Sequence, residues 1–415
     1  MDKMELEEGD PENHAFSFMS ERKDRNKRNC WLTYTNEKTH EIIRENIMRA
    51  PKYAGKIHGI GARYCPSIED KVVRFADKDR HQLFVEPEGL DTTEMYVQGM
   101  STSMPIDVQY AFLRTIPGFE DVKMMRPAYA IEYDLLDPLQ LYPTLEVIKL
   151  PGLYSAGQSN GTSGYEEAAA QGLVAGINAA LKIQGKDPFI LARHEAYIGS
   201  LVDDLVTKGA DEPYRMMTSR SEYRLILRQD NADLRLTEKG HSIGLVGEER
   251  YARFLERKKK YEEAMDYIRT QRFTPKEEIN RALESMGTAP LTTGTGADQI
   301  LKRPEMTYRK MMEILGCPSF DEEAVEEMEI TVKYEGYIAR QEAAVRKAAR
   351  MENEKLPLDM DYLSLDGIST EARQKMDKIR PLSLGQAARI PGVSPADISV
   401  LMVYVKQRKG KKGAE

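Results

Sequence analysis

The sequence has few cysteines and no long apolar run, and each shortage excludes a class of protein. Its three cysteines, far apart among 415 residues, exclude a disulfide framework and predict a reducing compartment, the cytoplasm. No CxxC pair or His/Cys cluster has zinc-site spacing, so no metal site is expected. No apolar run approaches the ~20 residues that a membrane helix needs. Residues 1–14 lack the apolar core of a signal peptide, so none is expected.

The remaining composition is typical of a soluble protein with two or three domains. Hydrophobic residues make up 41% of the chain and charged residues 31%. The formal net charge of -7 does not favour nucleic-acid binding, but local basic patches decide that property, not the total.

A glycine-rich stretch in the first half of the chain organises the rest. An apolar run at residues 153–156 predicts a buried strand, Gly157, Gly161 and Gly164 predict a turn, and residues 165–182 predict a helix. A strand, a glycine turn and a helix start together form a concave site rich in backbone N–H groups, which suits a phosphate or an electron-rich heterocycle oxygen. A purely structural turn has the same spacing, so both interpretations stay open.

Alternating and amphipathic patterns predict further elements along the chain. Short strands are predicted at residues 29–35, 72–75, 82–86, 128–133 and 145–150. Helices are predicted at residues 37–48, 108–116, 192–208, 248–270, 276–286, 304–315, 322–348, 369–379, 384–390 and 395–408. Asn36 is the expected N-cap of the first helix, and Ser394 with Asp397 forms the expected start of the last. The chain is therefore predicted to be mixed α/β up to about residue 188 and all-helical after it.

Cys65 is the sharpest candidate for chemistry. Its neighbours Arg63, Lys71 and Arg74 would lower the pKa of its thiol if they face it, and the thiolate is the nucleophilic form. The alternative is a small buried hydrophobic residue. Cys30 and Cys317 have no comparable setting and are interpreted as structural.

A basic segment at residues 213–236 is the candidate RNA contact. Its arginines alternate with Tyr214 and Tyr223, a combination that suits RNA phosphates and unstacked bases. The arginines are Arg215, Arg220, Arg224, Arg228 and Arg235, and the spacing of Arg220, Arg224 and Arg228 predicts one face of a helix. The alternative is a salt-bridged surface, since Glu222, Asp230 and Asp233 lie close by. Lys333 and Arg340, beside Tyr334 and Tyr337, and the lysine-rich C-terminus are further candidates of the same kind.

Two long motifs carry a resemblance to a known family. GARYCPSIEDKVVRF at residues 61–75 and AGQSNGTSGYEEAAAQG at residues 156–172 resemble the MnmG (GidA) family, flavin enzymes that modify the wobble uridine of certain tRNAs. The resemblance extends from about residue 16 to residue 409. The family begins with a dinucleotide-binding domain that carries a GxGxxG turn, and this sequence contains no such turn. The chain therefore resembles the C-terminal two-thirds of the family's protein.

The resemblance implies a fold and a domain order. It implies an α/β N-terminal portion, in which a partial FAD-binding Rossmann-like domain carries an inserted mixed α/β domain, followed by an all-α C-terminal region. The predicted divisions are a polar lead-in at residues 1–28, the inserted domain at 29–130, the returning part of the FAD-binding domain at 131–188, a helical domain at 189–330 and a C-terminal helical subdomain at 331–415.

The resemblance also implies cofactors and site residues. FAD is expected at Gly157, Gln158, Gly161, Thr162 and Gly164. NAD(H) is expected at Gly61, Arg63, Tyr64, Lys71, Arg74 and Phe75, with Glu69 or Asp70 on a ribose. RNA is expected at Arg215, Arg220, Arg224, Arg228, Lys333 and Arg340. Cys65 corresponds to one of two cysteines proposed to add to C6 of the uracil, and methylenetetrahydrofolate is the expected one-carbon co-substrate.

The implied activity is the addition of a carboxymethylaminomethyl or aminomethyl group at C5 of the wobble uridine. The expected partners are tRNA, a GTPase of the MnmE family and a second copy of the chain. A competing hypothesis is that the chain, without the GxGxxG domain, binds tRNA and the GTPase but catalyses nothing. A flavin tRNA methyltransferase of the related folate-dependent group is a third hypothesis, which the long helical C-terminal region disfavours.

Overall fold

The computed structural model describes residues 2–9, 15, 17–20, 28–56, 67–210 and 212–412, with side chains to residue 408. These residues divide into two compact units. The first unit consists of Met1–Lys186 with Gly209–Arg215, and the second of Asp187–Lys208 with Met216–Glu415.

The first unit is built on an antiparallel sheet of four strands in the order β1-β2-β3-β4. The strands are β1 (Glu5–Glu7), β2 (Cys30–Tyr34), β3 (Gln82–Pro87) and β4 (Met95–Gln98). Three helices share a core with this sheet: α1 (Glu37–Glu45), α2 (Ile68–Arg74) and α3 (Ile106–Leu113). Ile43, Leu83, Val85 and Phe112 are buried in their shared core. Strands β2 and β3 and helices α1 and α3 agree with the sequence prediction to within a few residues.

Local capping explains why α1 begins where it does. The Asn36 side chain accepts a hydrogen bond from the Thr39 N–H (3.1 Å), and the Thr39 hydroxyl accepts one from the Asn36 N–H (3.2 Å). This reciprocal pair satisfies two backbone donors that a helix start otherwise leaves open. The predicted N-cap is therefore confirmed.

Four predicted strands are wrong. Residues 72–75 end α2, because the Ser67 hydroxyl accepts the Asp70 N–H (3.2 Å) and Glu69 and Asp70 favour the positive end of the helix dipole. Residues 128–133 have no regular secondary structure. Residues 145–150 and 153–156 make only isolated bridges, Leu141 with Val147 and Glu146 with Tyr154. The expected burial of the last run is also absent, since Leu153 is 52% exposed.

Helix α4 (Tyr165–Ile183) closes the first unit and is covered on one side. Its inner face buries Val174, Ala175 and Leu181. At its ends, Tyr165 is 94% exposed and Ile183 is 88% exposed. The predicted helix is confirmed, with one face open in the described part of this unit.

The second unit is helical apart from a two-strand pairing of β5 (Arg272–Phe273) with β6 (Thr295–Gly296). Its helices are α5 (Tyr197–Lys208), α6 (Ala232–Ser242), α7 (Glu248–Thr270), α8 (Glu277–Ser285), α9 (Ala297–Leu301), α10 (Tyr308–Leu315), α11 (Glu322–Asn353), α12 (Thr370–Ile379), α13 (Leu384–Arg389) and α14 (Pro395–Lys412). One core gathers α7 to α11, and a second gathers residues 356–405. The predicted all-α region is confirmed, and α6 was not predicted.

The start of α14 follows the predicted capping pattern. The Asp397 carboxylate accepts the Ser394 N–H (2.8 Å), and the Ser394 hydroxyl accepts the Asp397 N–H (3.2 Å). Within the described ranges, no helix combines the length and the apolar character needed to cross a membrane.

Candidate functional site

The glycine turn of the first unit requires glycine at two positions. Gly157 and Gly161 have φ angles of 82° and 83°, a left-handed conformation that is costly for other residues. A Cβ on Gly161 would lie 2.7 Å from the Ala210 Cβ and 3.0 Å from a Leu135 methyl. A short 3₁₀ helix, Gly157–Asn160, connects the two glycines. The turn is therefore fixed by its own backbone and by close neighbours.

A buried amide network holds this turn. The Asn160 side chain donates to the Gln171 side-chain oxygen (2.8 Å) and to the Ser155 carbonyl (2.9 Å). The Gln171 amide donates to the Thr162 hydroxyl (3.0 Å), which in turn donates to the Gly157 carbonyl (2.9 Å). Thr162 is 1% exposed, so its side chain supports the turn from inside.

Gln158 differs from the rest of the turn. Its side chain is exposed, and it makes no hydrogen bond within the described residues. An amide carries two donors and an acceptor. Of the predicted FAD residues, Gln158 is therefore the one whose side chain can contact a ligand. Gly157 and Gly161 could contact it through their backbone atoms.

Electrostatics at the start of α4 disfavour a phosphate there. Gly164 is the N-cap and supplies no side-chain cap, but Glu166 and Glu167 occupy the first turn. Arg215 lies 3.8 Å from a carboxylate oxygen of each. Two carboxylates against one guanidinium leave the helix start negative, so a neutral polar group such as a heterocycle edge suits this turn better than an anion.

The motif at residues 61–75 falls only partly within the described residues. Gly61, Arg63, Tyr64 and Cys65 lie outside them. Arg74 and Phe75 are exposed, Phe75 by 51%, at the end of α2. The Lys71 ammonium is 3.5 Å from the Gly99 carbonyl.

Two carboxylates of this motif are engaged inside the unit. Glu69 is 1% exposed and accepts hydrogen bonds from the Ser103 N–H (3.0 Å) and hydroxyl (2.9 Å). Asp70 accepts from Lys52 (2.7 Å) and from the Tyr53 hydroxyl (3.0 Å). Burial alone would raise the pKa of the Asp70 carboxyl, but these donors outweigh it and the pKa is lowered. Both acids therefore stabilise α2, and neither side chain is exposed for a ribose.

The predicted arginine helix of the second unit is wrong. Only Thr218–Arg220 forms a 3₁₀ turn, and residues 221–228 are a chain of turns. Arg228 is enclosed by carboxylates, at 2.9 Å from Asp230 and 2.8 Å from Glu327. Arg224 is exposed and has no ion pair within the described residues. The segment thus contains both predicted alternatives, a salt-bridged arginine and an accessible one.

Gln341 joins the two predicted RNA segments. Its side-chain oxygen accepts the N–H groups of Leu225 and Ile226 (3.2 Å each), and its amide donates to the Glu222 carbonyl (3.0 Å). Gln341 follows Arg340 on α11, so the segment that carries Arg224 is attached to α11 at the position next to Arg340. No sequence signal identifies Gln341, because its partners are more than 100 residues away along the chain.

A buried ion network was also missed. Arg193, with an 8% exposed side chain, pairs with Asp204 (2.7 Å), Glu222 (2.8 Å) and Asp203 (3.1 Å). Arg389 of α13 also pairs with Asp203 (2.6 Å). The network anchors the 221–228 segment at Glu222, the residue whose carbonyl also accepts from Gln341. Within the described part of the chain, no cluster of three or more His, Cys, Asp or Glu residues could hold a metal ion.

Comparison with known proteins identifies the family to which this chain belongs. A family model described as "Glucose inhibited division protein A" matches residues 1–187. Two models described as the C-terminal helical domain and the C-terminal helical bundle of "tRNA modifying enzyme MnmG/GidA" match residues 248–342 and 344–415. The chain belongs to the MnmG/GidA family.

Individual MnmG/GidA relatives agree over nearly the whole chain. The tRNA uridine 5-carboxymethylaminomethyl modification enzyme MnmG of Caldicellulosiruptor saccharolyticus is 55% identical over 412 residues, which are 99% of this chain and 66% of the relative. The MnmG of Enterococcus faecalis is 56% identical over 409 residues, 98% of this chain and 65% of the relative. The structure of Aquifex aeolicus GidA superposes with a TM-score of 0.84 at 46% identity, covering 97% of this chain and 64% of that one.

These matches confirm the family and the fold class that the two motifs predicted. The chain spans about two thirds of the length of its MnmG/GidA relatives. The five predicted domain divisions and the individual site residues remain predictions.

Proposed function

We propose that the chain takes part in modifying the wobble uridine of tRNA at C5, in a reaction that uses FAD and methylenetetrahydrofolate. The relatives that carry the name of this activity support the reaction class. The observation that carries the flavin part is the exposed Gln158 amide on a turn that buried side chains hold rigid. Binding groups on rigid supports can orient a ring without an ordering cost.

The residues of the turn fit a flavin edge. Gly157 and Gly161 would allow close approach of the ring system, and Gln158 would hydrogen-bond to its carbonyl and ring nitrogen groups. Thr162 and Gly164 would act indirectly, Thr162 through the Gly157 carbonyl and Gly164 by leaving room for Arg215 and Glu167. When bound, the reduced flavin would supply the electrons and methylenetetrahydrofolate the one-carbon unit.

Cys65 would activate the uracil. Addition of its thiolate to C6 forms a C–S bond and moves the C5=C6 electron pair onto C5, which then attacks the one-carbon electrophile. Loss of the C5 proton expels the thiolate and restores the double bond. The target base must leave the anticodon stack to be reached. An amine such as glycine or ammonia would complete the substituent.

A nicotinamide dinucleotide bound by the motif at residues 61–75 would reduce the flavin. Arg74 and Phe75 are exposed at the end of α2, where a phosphate and a ring could meet them, and Lys71 is close by. Glu69 and Asp70 have no part in this proposal, because their carboxylates are engaged with Ser103, Lys52 and Tyr53.

The second unit would hold the tRNA. Arg224 and Arg340 are two of its exposed cations, with Arg220 half-exposed nearby in sequence, whereas Arg228 and Lys333 are engaged in ion pairs with Asp230 and Glu329. Arg215, in the first unit, is paired with Glu166 and Glu167. A homodimer and a GTPase of the MnmE family are the further partners that we propose, by analogy with the family alone.

The experiment is an FAD titration of the purified chain, followed by flavin fluorescence. Saturable binding that Gln158→Ala weakens, while Gln184→Ala on the exposed end of α4 does not, supports the proposal. Absence of any uptake would contradict the flavin part.

A second candidate is a chain that binds tRNA and the GTPase without catalysing the reaction. The open face of α4, with Tyr165 94% and Ile183 88% exposed, favours it, because the helix that follows the turn lacks cover on that side within the described residues. tRNA binding without FAD uptake would decide for this candidate.

A further inference from the structure

Two tyrosines of α11 are exposed beside an arginine. Tyr334 is 47% and Tyr337 is 54% exposed, and their ring centroids are 6.3 Å apart. The guanidinium carbon of Arg340 lies 4.8 Å from the Tyr337 ring centroid, within cation–π range. Two large aromatic rings exposed side by side on a polar helix form an apolar patch that a binding partner could cover.

The charge around the rings favours an anionic partner. The nearby acids Glu335 and Glu342 are paired with Lys302 (2.6 Å) and Arg346 (3.8 Å). Arg224 precedes Leu225 and Ile226, whose N–H groups donate to the Gln341 side-chain oxygen. These bonds attach the Arg224 segment to α11 one helical turn beyond Tyr337. Lys347 and Arg350, further along α11, are exposed and have no ion pair among the described residues. Aromatic rings with unpaired cations are the combination that binds unpaired nucleotides.

We propose that Tyr334, Tyr337, Arg340 and Arg224, which we call the α11 platform, stack an unpaired base of the bound RNA and contact its phosphates. This inference rests on the proposed function, since it assumes that the chain binds tRNA. It goes further by assigning the stacking to Tyr337. The partner chemistry is a single-stranded RNA loop, because double-helical RNA does not offer the face of a base.

The test uses the full chain and an anticodon stem-loop RNA that carries 2-aminopurine at successive loop positions. We expect a fluorescence change on binding at one position, because stacking changes the emission of this base. Tyr337→Ala should abolish that change and weaken binding roughly 5- to 150-fold, the range of one base–aromatic stack. Tyr337→Phe, which keeps the ring, should retain both.

Arg281→Ala is the control for this test. It removes a cation of α8 that pairs with Glu277 and should leave the fluorescence change in place. If Tyr337→Ala leaves RNA binding unchanged, the α11 platform is contradicted, but the proposed tRNA contact is not. This outcome includes the case in which the rings contact a protein. No RNA binding by the wild-type chain at low salt overturns both the platform and the proposed tRNA contact.

Discussion

Arg228 donates a hydrogen bond to the Glu327 carboxyl at 2.8 Å, in a site that is almost closed to solvent. Asp230 completes the site at 2.9 Å from the same guanidinium. Burial, together with the neighbouring Asp230 carboxylate, raises the pKa of Glu327 to about 8. Near neutral pH the site therefore holds one guanidinium, one carboxylate and one protonated carboxyl, which balances its charge.

The first prediction concerns the pH dependence of stability. Because the folded pKa of Glu327 lies above its ordinary value of 4.5, the folded chain binds more protons than the unfolded chain between these two values. Its contribution to the free energy of unfolding is complete below pH 4.5 and is lost as pH rises towards 8, by at most about 1.4 kcal/mol per pH unit. Glu327→Gln, which cannot ionise, should remove this loss, measured by urea unfolding from pH 5 to 8.

The control is Glu313→Gln, an exposed glutamate on α10. It should run parallel to wild type at every pH. If Glu327→Gln also runs parallel to wild type, Glu327 does not titrate in this window.

The second prediction concerns the glycine turn. Gly161→Ala would place a methyl group 2.7 Å from the Ala210 Cβ at a φ of 83°, and should lower the free energy of unfolding by about 1–3 kcal/mol and weaken FAD binding. Gly172→Ala on the open face of α4 meets nothing within 4 Å and should raise stability by up to about 1 kcal/mol. Urea unfolding and flavin titration check both variants, and equal effects would show that the turn tolerates a side chain.

The third prediction concerns the basic segment. Arg220→Ala combined with Arg224→Ala should weaken tRNA binding and reduce the slope of log affinity against log salt by about 1.4, for two phosphate contacts to single-stranded RNA. Binding isotherms at several salt concentrations give the slope. Arg281→Ala, which removes one exposed cation of α8, serves as the control and should leave it unchanged. An unchanged slope in the double variant would remove Arg220 and Arg224 from the RNA contact.

Local signals allowed much of the fold to be predicted. The caps at Asn36 and Ser394 and the bounds of α7 depend on residues within a few positions of each other, and the structure agrees with them. Residues 153–156 were predicted as a buried strand because they are apolar, but a strand also requires a neighbour that pairs with it, which a local pattern does not reveal. Residues 72–75 have the composition of a strand, but the Ser67 cap starts a helix that continues to Arg74.

The site was predictable where a motif defines it, and not where distant contacts do. The glycine turn follows from its own residues. The enclosure of Arg228 does not, since Glu327 is 99 residues away, and four-residue spacing of arginines is compatible with a loop as well as a helix. Gln341 and the Arg193 network depend in the same way on partners remote in sequence.

The central claim is that the chain contributes the flavin turn and the reactive thiol of a wobble-uridine modification. Its most direct test expresses the chain in a bacterial strain that lacks the MnmG/GidA protein and analyses the tRNA nucleosides by mass spectrometry. The C5-substituted wobble uridine should appear with the wild-type chain and be absent with Cys65→Ser, although both variants bind tRNA equally. Unmodified uridine with both, or modification with both, would contradict the claim.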